Sequence, residues 1–156
     1  MLEKLFQSKE VVVALVVGLA SLAIAYSTFS GALWNSNAVE NYSKGTAMTV
    51  EANTTYIAAT LNWNESTEEE RKTELGRYEE EIGQAEEKVK TVDAANKNSD
   101  TYQFFSVMFG AVAFFASLAG TTNKKNLVTT ILLIAIVGFV VLLGFVLGLP
   151  KPSFSF

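Results

Sequence analysis

Three long apolar runs stand out along the chain, at residues 11–34, 102–120 and 127–149. A hydrocarbon core about 30 Å thick takes roughly 20 helical residues to cross, so each run predicts a transmembrane helix. The third, LVTTILLIAIVGFVVLLGFVLGL, is apolar on every face, and Pro150 and Pro152 stop it. The first has a rival reading as a cleavable signal, because Lys4 and Lys9 precede it and Ala23-Ile24-Ala25 resembles a cleavage site. Its continuation through Tyr26, Phe29 and Leu33 to Trp34 favours a retained span.

The polar stretch between the first two runs carries a helical period. Ser66 and Glu69 have capping-box spacing, with Thr67 and Glu70 as the alternative one step on, and Glu68–Glu70 suit a helix N-terminus. Leu75, Tyr78, Ile82, Ala85, Val89 and Val92 then recur at spacings of three and four, a heptad seam. Upstream, Ala38, Tyr42, Gly45, Met48, Ala52, Tyr56, Ala59 and Trp63 form a similar stripe. A strand reading of residues 46–60 rests on their Thr, Val, Tyr and Ile content, but lacks turn signals and strict alternation. No Pro occurs before position 150, so the first span is expected to run on as one helix, turn at Asn64-Glu65 and return.

The predicted fold is therefore all-α. Three transmembrane helices carry an extramembrane antiparallel helical hairpin, a stalk, between spans one and two. The divisions are residues 1–34, 35–100 and 101–156. Small residues mark how the spans pack, since helices in lipid associate through close backbone approach. Ala14, Gly18, Ser21, Ala25 and Thr28 make one stripe on the first span. Ser106, Gly110, Ala113, Ser117 and Gly120 make another, at the same spacing, on the second. The matching stripes predict that these two spans pack together.

Charge sharpens this division. Residues 35–100 hold 14 of the 16 acidic and 7 of the 12 basic residues, so the polar middle is strongly acidic while the rest of the chain is net basic. An acidic exposed segment argues against nucleic-acid binding, which needs a basic face. Lys4 and Lys9 before the first span, with Lys124 and Lys125 in the short link between the last two, orient the N-terminus inside. Residues 35–100 then lie outside a cell (cytoplasmic) membrane, with Trp34, Tyr42 and Tyr102 at the outer interface. Three sequons in that segment make Asn41, Asn53 and Asn64 candidate glycosylation sites.

Chemistry is scarce. The chain has no Cys and no His, which removes disulfides, thiolates and ordinary zinc or haem ligation. No charged residue lies within the three apolar runs, so proton-coupled transport is not expected. Glu79–Glu81 and Glu86-Glu87 point in different directions on a helix and form no cation cage by themselves. No acidic residue belongs to the predicted seam, and Thr129 and Thr130 are expected to bond to their own helix backbone. There is no nucleophile–base pair and no phosphate loop. No catalytic, cofactor or metal residues are assigned.

The stretches VVVALVVGLASLAIAYS, EEERKTELGRYEEEIGQAEEKVK and FFSVMFGAVAFFASLAGTTNKKN, in that order, resemble a family of small prokaryotic three-span membrane proteins of unknown function. The resemblance implies a first span, a polar helical hairpin, and two spans joined by a short basic turn. It implies no activity. The family's aromatic-rich segment after the first span is replaced here by Asn/Thr-rich sequence. The functional expectation is a non-enzymatic scaffold or accessory subunit, a homo-oligomer or part of a larger membrane complex in the lipid bilayer. A homo-oligomeric channel or pore is the alternative, followed by a sensor-like stalk.

Overall fold

The computed structural model describes residues 8–61 and 63–152. Lys4 lies outside them. The described residues form three helices and no strand: α1 Lys9–Leu61, α2 Glu68–Thr121 and α3 Lys125–Gly148. The β-rich reading of residues 46–60 is thus replaced by helix. With no Pro to break the hydrogen-bond ladder, α1 and α2 run for 53 and 54 residues. Each of the three helices contains a stretch long and apolar enough to cross a membrane.

The chain divides into two compact units. One comprises Met1–Leu33 and Asn98–Phe156, the other Trp34–Lys97.

In the first unit the core is made by Val16 and Ala20 of α1, Val112 and Ala116 of α2, and Ala135 of α3. Val12, Val17, Ala113, Phe139 and Leu142 pack against it. Aromatic rings tie α3 in: Phe109 lies 5.6 Å from Phe139 and Phe105 stacks on Phe145 at 6.3 Å. The Lys9 ammonium donates to the Gly120 and Thr122 carbonyls at 3.4 and 3.2 Å, capping the end of α2, where cations are favoured. Several exposed hydroxyls of these helices are satisfied within their own helix. Ser21 donates to Val17, Ser117 to Ala113, and Thr129 and Thr130 to Lys125 and Asn126, each four residues back.

In the second unit α2 opens with a capping box, and it is the later of the two candidate pairs. The Thr67 N–H donates to Glu70 Oε2 at 2.8 Å, and the Glu70 N–H donates to Thr67 Oγ1 at 3.3 Å. The Thr67 N–H bond, and after it the Thr67 hydroxyl donating to the same oxygen at 2.9 Å, hold the Glu70 carboxyl below its ordinary 4.5. A depressed folded-state value means that the stabilisation is complete above the ordinary carboxylate range and is lost as pH falls through the folded value. We predict that acidification below the ordinary range frays the start of α2. Amide exchange at residues 68–70 should rise on acidification relative to a Glu70→Gln variant, and identical pH profiles for the two proteins would refute the prediction.

Two glycines of this unit, Gly76 and Gly83, have open space where a Cβ would be. Nothing there offsets the cost of glycine in a helix interior, about 1 kcal/mol relative to alanine. Gly76→Ala and Gly83→Ala are each predicted to raise the melting temperature of the polar unit. A fall in either variant would contradict this account.

Candidate assembly surfaces

The two spans that were expected to pack do meet, but mostly through other residues. Gly31 lies so close to α2 that a Cβ would sit 3.3 Å from the Ser99 carbonyl oxygen. Ser99 Oγ donates back to the Gly31 carbonyl at 3.0 Å, a buried bond. Ala20, Ser27 and Ser30 are buried on the same helix. Ser27 Oγ is enclosed without a hydrogen-bond partner among the described residues.

The predicted small-residue stripe on α1 faces elsewhere. Ala14, Gly18, Ser21, Ala25 and Thr28 are all exposed within the single chain, and Gly18 has nothing near its missing Cβ. Thr28 still reaches α2, sharing a 2.9 Å hydrogen bond with Ser106. On α2, Ser106, Gly110, Ala113 and Gly120 are half-buried at the edge of the contact, and Ser117 is exposed. Gly120 abuts Val13, 3.3 Å from the position of a Cβ. The α2 contact face itself is Tyr102, Phe105, Phe109, Val112, Ala116 and Ala119, all buried. It lies one residue back from the predicted stripe, about 100° around the helix.

In the polar unit the predicted seam is divided. Ala85 is buried, Tyr78, Ile82 and Val92 are half-buried, and Leu75 and Val89 lie on the exposed edge. Tyr78 stacks against Tyr56 with centroids 4.9 Å apart. Gly45 makes the tightest approach: a Cβ there would stand 3.0 Å from Val89 Cγ2 and 3.2 Å from the Ala85 carbonyl oxygen. Ala38, Ala52 and Ala95 complete the buried set. Glu74 and Glu81 are also half-buried, so acidic side chains do enter this contact, contrary to the expectation from the sequence. Glu81 shares its charge with Arg77 at 2.8 Å, an i,i+4 pair.

The stripe read in the sequence through Ala38, Gly45 and Ala52 extends one heptad further back, to Gly31, and that continuation was missed. Gly31, Ala38, Gly45 and Ala52 follow one another at that interval, and all four are buried. Small residues at one heptad position let two helix backbones come close, as Gly31 and Gly45 do here.

Of the candidate glycosylation sites, Asn41 is half-buried on α1, Asn53 is exposed on α1, and Asn64 is exposed in the turn after it. An open cleft of about 750 Å³ lies beside that turn, among Thr55, Trp63, Ser66, Glu70 and Arg71. The Arg71 guanidinium sits 5.3 Å from the Trp63 ring centroid, a cation–π contact. In the first unit an apolar cleft of about 390 Å³ is lined by Leu22, Tyr26, Phe109, Phe139 and Leu143. Among the described residues no three Asp or Glu side chains gather as a metal site.

Comparison with protein families, with curated proteins and with solved structures found no match. The candidate site therefore rests on its own geometry, and that geometry consists of packing surfaces.

Proposed function

We propose that this chain is a non-enzymatic integral membrane scaffold or accessory subunit that works by helix packing. The observation that carries the reading is the close contact built from small residues, above all Gly45 against the Ala85 backbone. A helix pair held at such short range is suited to presenting a fixed surface to another protein. In this reading the three apolar helices cross the cell membrane with the N-terminus inside. Residues 35–100 project outside as an antiparallel helical hairpin. The partner pairs support the hairpin, since Trp63 meets Arg71, Tyr56 meets Tyr78 and Gly45 meets Val89. The lysines at Lys9, Lys124 and Lys125 support the orientation. In this reading the arrangement is similar to that of the small prokaryotic three-span proteins the sequence resembles.

Gentle extraction of the full chain followed by native mass measurement tests the reading. An oligomer or a complex with another chain is expected. A stable monomer with no companion would overturn it, and unitary conductance from the pure reconstituted protein would favour a homo-oligomeric channel instead.

A further inference from the structure

The polar unit has a second apolar surface that its own fold leaves uncovered. Val39, Tyr42, Val50 and Ile57 of α1 are each more than half exposed, and Leu61 is 81% exposed. With 3.6 residues per turn these five fall within about 100° of one another, on a flank of α1 roughly 110° around from the buried Ala38, Gly45 and Ala52. The exposed Thr46 and Asn53 lie on the same ridge. Its spacing of 3, 4, 4, 3, 4 and 4 residues is an eleven-residue period, which suits nearly straight or slightly right-handed pairing. α1 thus carries a buried small-residue face and, beside it, an apolar flank that α2 leaves uncovered.

We propose that this ridge pairs with the same ridge of a second copy, α1 against α1 in parallel, to form a membrane-anchored homodimer. The inference rests on the assembly reading above and names its partner. Charge selects this face for self-association. Residues 35–61 carry only Glu40, Lys44 and Glu51, and the first two pair with each other. Residues 65–100 carry twelve acids against six bases, with Glu79, Glu80, Glu86 and Glu87 exposed, so two copies meeting through α2 would repel. Copies inserted in the same sense run their α1 helices the same way, which sets each ridge residue opposite its counterpart. Asn53 would then face Asn53, and a paired Asn in an apolar seam fixes register and orientation.

Area says where the dimer holds. From Val39 to Leu61 the ridge is about 33 Å long, and a helix is about 10 Å wide, so each copy covers on the order of 330 Å². A standard interface covers about 800 Å² per partner. The pairing therefore depends on anchoring both copies in one bilayer, where effective concentration replaces contact area.

The absence of cysteine makes the test direct, because between two copies of this chain one introduced thiol can bond only to its counterpart. Val39→Cys, Val50→Cys and Ile57→Cys, each in the full chain in membranes, are oxidised beside Glu80→Cys and Glu87→Cys. Disulfide-linked dimers are expected at the three ridge positions, at least fivefold more than at the two α2 positions. A Val50→Glu/Ile57→Glu variant should lose crosslinking through Val39→Cys while keeping its helical content. The absence of ridge dimers overturns the proposal, as does equal crosslinking at all five positions or capture of a different chain. Native mass of the same extract separates the two readings. A complex with another protein and no ridge dimer leaves the scaffold standing and removes the second copy, whereas a lone monomer removes both.

Discussion

Gly45→Leu is expected to part the two helices of the polar unit over their middle turns. Even one added carbon would stand 3.2 Å from the Ala85 carbonyl oxygen, which belongs to a helix backbone and cannot swing aside. A leucine adds three more. Overpacking of this kind typically costs about 1–3 kcal/mol. Relief of the glycine penalty returns about 1 kcal/mol in helix propensity, so the bulky variant is destabilised on balance. Gly45→Ala is the finer comparison, because its gain of about 1 kcal/mol opposes a contact only a few tenths of an ångström too short. Thermal unfolding followed by far-ultraviolet dichroism should therefore rank leucine well below wild type, with alanine between them or near wild type. A leucine variant as stable as the parent would show that Gly45 is not in a close contact.

Tyr102→Ala is expected to be the most damaging single change in the apolar unit. Tyr102 is fully buried, its ring meets Tyr26 edge-on with centroids 6.2 Å apart, and its hydroxyl donates to the Pro150 carbonyl at 3.2 Å. One side chain thus links α2 to α1 and to the segment that follows α3. Truncating a buried aromatic to alanine costs about 3–5 kcal/mol in well-packed cores. Tyr102→Phe keeps the ring and loses only the hydrogen bond, about 0.5–1.5 kcal/mol. Detergent-solubilised protein should show faster amide exchange near Leu149 in both variants, with loss of thermal stability confined mainly to the alanine form. Equal stability of the alanine variant and the parent would contradict the account.

Helix content was legible in the sequence because period and punctuation agreed. The absence of Pro before position 150, the apolar runs and the Ser/Thr–Glu spacing all point to long helices, and α1, α2 and α3 follow them. Which face of each helix turns inward was much less legible. Ala14, Gly18, Ser21, Ala25 and Thr28 compete with Ala20, Ser27, Ser30 and Gly31 on one apolar helix, both sets are small, and only the partner's shape decides between them. The large side chains of α2, Tyr102, Phe105 and Phe109, fill the space beside the second set. Leu75 and Val89 keep more of their surface exposed than the other seam positions, although Val89 still meets Gly45. A strict heptad centred on them ignores the smaller Ala95 and the half-buried Glu74 and Glu81, the latter with one carboxylate oxygen enclosed and the other accepting from Arg77. The Val39–Leu61 ridge was hidden because its eleven-residue period runs beside the heptad of the adjoining face, and one shared residue, Tyr42, blurs the two.

The pairs that close the polar unit also order its assembly in time. Trp63 and Arg71 are 8 residues apart in sequence, Tyr56 and Tyr78 are 22 apart, and Gly45 and Ala85 are 40 apart. Each pair encloses the one before it, so once the shortest loop has closed, every later contact closes only a small additional segment of chain. Such a structure zips from the Thr67 cap toward Trp34, and its last-formed turns are the first to open. Refolding followed by pulsed amide labelling should protect residues near Tyr78 before those near Val92.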